Sequence, residues 1–129
     1  MNLPKFTGLA VAAITLLIGA SAFAHHGRGL LYDIKQETTV KGTVTEFIWT
    51  NPHVTIGIDG MDGKGTRRQW LIEASATSIL AERGWTRRSL KTGDSVTISF
   101  HPGFRGSLTG DLIKIVFADG RVLPAGGGR

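Results

Sequence analysis

From Thr39 onward, apolar and polar side chains alternate in short runs separated by breaks rich in glycine, asparagine and proline. This is the patterning of strands and turns. Thr39 to Trp49 is β-branched and aromatic, with Val40, Gly42 and Val44 on one face, and Gly42 marks a bend or bulge. Thr50-Asn51-Pro52-His53 breaks the alternation, because Pro52 has no N–H for a ladder and Asn-Pro favours a turn. Val54 to Asp59 resumes it with Val54, Ile56 and Ile58 on one side, so the first two strands are expected to form a hairpin.

After a glycine-rich turn, Arg67 to Glu73 reads as a third strand with Trp70 and Ile72 on one face. A single short helix follows. Ser75 or Thr77 is its candidate cap, Ile79, Leu80 and Ala81 are its apolar residues, and Gly84 is its stop. Trp85 and Leu90 flank a segment expected to pack on the end of the sheet. Lys91 to Asp94 is a turn, and Ser95 to His101 is a fourth strand with Val96, Ile98 and Phe100 inward. Leu112 to Ala118, carrying Ile113, Ile115 and Phe117, is a fifth. Asp119-Gly120 turns the chain toward a short closing strand at Val122-Leu123.

Three strands, one helix and two or three more strands predict an all-β fold: a small five- to six-stranded OB-like Greek-key barrel with its helix between strands three and four. A plain β-sandwich is the competing arrangement. The glycine inside the long first strand and the lone mid-chain helix favour the barrel.

The N-terminus has a different composition. Lys5, an apolar run from Leu9 to Ala20, and Ala22 and Ala24 around Phe23 form the three parts of a cleavable secretory signal ending at residue 24. The run is shorter than the roughly 20 residues that span a bilayer, which argues against a lasting membrane anchor. Removal of 24 of the 129 residues leaves 105, enough for one domain. These divide into an arm (25–38), a barrel (39–124) and a tail (125–129) expected to be disordered. There is no cysteine, which excludes disulfides, thiolate metal sites and lipidation through a cysteine. The chain holds 15 Lys and Arg against 10 Asp and Glu, net +5, and Lys5 is the only basic residue within the signal, so the remainder carries +4. In an exported protein that charge meets anionic envelope polymers and headgroups rather than nucleic acid.

Four histidines are the side chains suited to borderline metals. A cut after Ala24 gives His25 a free amine beside its imidazole, with His26 adjacent. An amine and two imidazoles suit copper(II). His53 and His101 complete such a site if the arm folds back. The alternative is an unliganded arm and ordinary surface histidines. Carboxylates fall in no paired spacing, serines in no nucleophile elbow and glycines in no phosphate-binding motif. Of the three tryptophans, Trp49 beside the Asn-Pro-His turn is the best candidate for a binding surface, with Asn51, Arg87 and Arg105 as further ligand-binding candidates.

The combination His25-His26-Gly27, Lys41-Gly42-Thr43-Val44-Thr45, Trp49-Thr50-Asn51-Pro52-His53, Gly84-Trp85-Thr86-Arg87, Leu90-Lys91-Thr92-Gly93-Asp94 and Ala118-Asp119-Gly120-Arg121 resembles a small exported bacterial family, domain of unknown function 6152. The resemblance covers nearly all of the chain after the signal. It implies that His25, His26 and His53 recur together, whereas His101 is less typical, and it supplies no activity. The expectation is a monomeric periplasmic binding protein without enzymatic activity that coordinates copper or another divalent ion. The alternatives are a metal-free envelope module binding a polysaccharide, peptide or protein through an aromatic and basic face, and a copper-dependent oxidase-like enzyme.

Overall fold

The computed structural model describes residues 27–126, so the segment read as an export signal, His25, His26 and the last three residues lie outside the described residues. The chain divides into two units, Met1–Leu31 and Tyr32–Arg129. In the first, residues 27–31 are helical. The second contains strands β1 (Thr38–Ile48), β2 (Thr55–Met61) and β3 (Arg67–Glu73), the helix α1 (Thr77–Ala81), and strands β4 (Ser95–Pro102), β5 (Thr109–Phe117) and β6 (Val122–Pro124).

The strands are ordered β3-β2-β1-β4-β5-β6, and β3 also pairs with β5, which closes five strands into a barrel with β6 as an added edge. All pairings are antiparallel except the parallel β3–β5 closure. With its helix between β3 and β4, this is the OB-like barrel expected from the strand pattern. Period-2 alternation supplies the core, since Val40, Val44, Val54, Ile56, Ile58, Ile72, Ile98 and Phe100 are fully buried.

Two bulges break that period. In β1 the register with β2 shifts between Val44 and Glu46, so Val44 and Phe47, three residues apart, both turn inward. In β5 the register with β4 shifts at Ser99/Phe100, pairing Leu112 with Phe100 and Lys114 with Ser99. Leu112 and Ile115 are therefore the buried pair, in place of the Ile113, Ile115 and Phe117 series that strict alternation gives. Gly42 is not the bulge. It lies opposite Gly60, where a Cβ would run into the Asp59 carbonyl, so the residue permits close approach of two strands.

The helix is one turn and a fraction, with Leu80 fully buried. Gly84, at φ 88°, ends it in the left-handed region, and Trp85 and Leu90 then pack into the core as expected. The Trp85 indole N–H donates to the Pro124 carbonyl at 2.9 Å, and the Ala125 N–H donates to the Ile113 carbonyl at 2.9 Å. Ala125, placed by the sequence in the tail, is thus a core residue.

Candidate functional site

The Trp-Thr-Asn-Pro-His run forms the turn between β1 and β2, and its Asn51-Pro52 bond is cis. A helix leaves its first N–H groups without partners, and the residue before α1, Ala76, offers no side-chain acceptor. Asn51 supplies it from the other connection: its Oδ1 accepts from both the Thr77 N–H and the Thr77 hydroxyl, each at 3.0 Å. Trp49 is half-buried. Its ring lies 6.0 Å from that of Phe47, which lies 6.4 Å from Trp85. Asn51 and Trp49 therefore join the turn to the helix and the core, while His53 is exposed.

His101, near the end of β4, is half-buried, and its Nδ1 lies 2.7 Å from the Gln36 carbonyl. A carbonyl only accepts, so Nδ1 is the donor, and in the neutral ring Nε2 keeps its lone pair. Across the outer face of the barrel, His101 is in register with Asp111, Asp111 with Glu73, and Glu73 with Thr55, which begins the strand after His53. Three ladder steps of about 4.8 Å separate the two histidine-bearing segments by roughly 14 Å along a convex surface. His53 and His101 thus do not meet at one metal ion, whose nitrogen ligands sit about 2 Å away. Among the described residues no three His, Asp or Glu side chains are grouped to hold a metal.

The same row joins two carboxylates that the sequence leaves far apart. Glu73 and Asp111 are register partners in the parallel closure, Tyr32 donates its hydroxyl to Glu73 Oε2 at 2.8 Å, and Asp111 is only 1% exposed. The pairing has no local sequence signal, because it exists only once β3 meets β5.

On β2 and β3 the outward side chains are Thr55, Asp59 and Met61 facing Glu73, Gln69 and Arg67, with Leu71 opposite Gly57. Arg67 binds Asp59 through two nitrogens at 2.9 and 2.8 Å, and this hydrogen-bonded guanidinium holds the Asp59 carboxyl below its usual pKa. Beside this face runs the β4–β5 connection, tied to β3 by the Leu71 N–H donating to the Leu108 carbonyl at 2.9 Å. Leu71, Phe104 and Leu108 are 46%, 45% and 41% exposed. Arg105, between the last two, adopts φ 59°, a left-handed conformation costly for a side-chain-bearing residue.

The sequence alignment that decides the family spans residues 13–112, well over half the chain, and carries the description "Family of unknown function (DUF6152)". The chain belongs to that family. No curated protein and no solved structure matches it.

In this DUF6152 protein, the four ligand-binding candidates do not share one surface. Trp49 and Asn51 are committed to the β1–β2 turn. Arg87 and Arg105 are exposed but sit in the connections at opposite ends of β4. Arg105 alone stands beside exposed apolar side chains that single-sequence reading missed. Their signal was present in the sequence, as apolar residues interrupting a loop of glycine and serine.

Proposed function

We propose that this DUF6152 protein is an exported, non-enzymatic binding module that engages an extended segment of an envelope protein across the outer face of β3 and the β4–β5 connection. The observation that carries this reading is the exposure of Leu71, Phe104 and Leu108 beside Arg105. Exposed apolar groups next to cationic ones are what a partner with apolar and acidic side chains complements. Aliphatic side chains outnumber rings here, which suits a polypeptide better than a sugar. The outer face of strands two and three, with its bordering loops, is also where OB-type barrels take ligands. A photo-crosslinking residue at Phe104 or Leu108 should capture one and the same envelope protein, while one at Val122 should not. Equal capture at all three positions sinks the assignment.

A second reading is copper binding by His25 and His26 at a cleaved N-terminus. What supports it is the residue types at that terminus, an amine and two adjacent imidazoles, which suit copper(II). Copper(II) titration of the protein beginning at His25 should give tight binding that weakens at least tenfold when one residue is added ahead of His25. Identical weak binding by both forms removes this reading.

A further inference from the structure

A cleft of about 360 Å³ opens between the α1–β4 connection and the β5–β6 hairpin. Thr86, Arg88, Lys91, Asp94, Phe117 and Arg121 are the lining residues that give it character. Its volume falls in the range of small-molecule sites, about 300–1,000 Å³.

The cleft has a fixed scaffold. The Thr86 N–H donates to Ser89 Oγ at 2.8 Å, the Ser89 N–H returns to the Thr86 carbonyl at 3.0 Å, and the Arg88 N–H donates to Thr86 Oγ1 at 3.1 Å. Lys91 binds Asp94 through its ammonium group at 2.9 Å and its backbone N–H at 3.0 Å. These contacts, led by the side-chain bond to Lys91, hold the Asp94 carboxyl below its usual pKa, and the charge of Arg121 adds to the effect. The one carboxylate in the lining is therefore ionised and already matched to Lys91.

Arg121 is pre-oriented. Its Nε donates to Asp119 Oδ2 at 2.9 Å, and its guanidinium carbon sits 4.4 Å over the centre of the Phe117 ring. Among the described residues no hydrogen bond occupies its two terminal NH₂ groups, and Arg88 has no ion pair. A guanidinium held at Nε and stacked on one face presents its remaining edge with little rotamer freedom left to lose.

We propose that this cleft binds a phosphoryl group, with Arg121 and Arg88 as its donors. Lys91 is balanced by Asp94 and Arg121 is paired with Asp119, so three cations face two carboxylates, and the one surplus positive charge, on Arg88, lines the same cleft as the open guanidinium edge of Arg121. A phosphoryl group offers three acceptor oxygens to the two guanidinium forks, where a carboxylate offers two. The phosphoryl group belongs either to a soluble phosphate ester or to a lipid headgroup.

The test is an amide-shift NMR titration of the purified protein with inorganic phosphate at low ionic strength. The expected result is saturable shifts at Thr86, Ser89 and Arg121, with affinity falling tenfold or more in both Arg121→Gln and Arg88→Gln. Arg121→Lys, which keeps the charge without the stacked fork, should fall between. A melting curve of each variant establishes that it is folded. Unchanged affinity in the folded variants, equal shifts with chloride, or acetate binding as tight as phosphate would overturn the proposal. Sedimentation with vesicles containing phosphatidic acid, whose phosphate is a monoester, but not with pure phosphatidylcholine, would assign the headgroup. Phosphate binding without sedimentation would assign a soluble ester.

Discussion

The turn at 49–54 and the connection at 103–108 each link two adjacent antiparallel strands, and they use their side chains in opposite ways. The first carries the most distinctive run of residues in the chain, and two of its side chains are consumed internally, Asn51 on Thr77 and Trp49 on Phe47. The second is unremarkable in sequence, yet it leaves Phe104 and Leu108 in solvent and holds Arg105 in a left-handed conformation. A conspicuous motif can therefore serve architecture, while apolar side chains stay in solvent where the sequence is plain.

The largest effect that would sharpen this contrast is at Asn51. Asn51→Ala deprives α1 of the side-chain acceptor at Thr77 and should cost about 1 kcal/mol, within the 0.5–2 range of helix caps. Phe104→Ala, measured in the same urea titration, should stay within about 0.5 kcal/mol, as surface substitutions do. Equal losses for the two would erase the distinction between the loops.

A smaller effect concerns the Asp59–Arg67 pair beside the second loop. The folded pKa of Asp59 lies below its ordinary value, so the stability it contributes is fully present above that value, about 4. It is lost as pH falls through the lowered folded pKa. Asp59→Asn should remove this part of the acid dependence, so its stability should decline less steeply below pH 4 than that of the unaltered protein. Superimposable acid profiles would show that the pair is not linked to folding.

Most of the barrel was legible because strands buried on one face must alternate, and β3 is bounded at Arg67 and Glu73 as the alternation indicates. What was hidden depends on partners distant in sequence. The helix cap was sought in Ser75 or Thr77 and comes from Asn51. Leu112 replaced Ile113 in the core because a bulge shifts the pairing with β4. The Glu73–Asp111 neighbourhood and the Arg88–Arg121 cleft exist only after closure, so no spacing could announce them. The spacing of the histidines carries no geometry, and His53 and His101 stand on separate segments of the outer face.

The closure itself governs when this protein can become a folded object. β1 takes β4 as a neighbour, β3 takes β5, and Trp85 takes its acceptor from Pro124. In a chain that stops before β4, the outer edges of β1 and β3 have no strand to pair with. Contacts between such distant segments also form slowly. The topology makes the barrel a late product of the chain, complete only when β4 and β5 have joined strands that precede them by tens of residues.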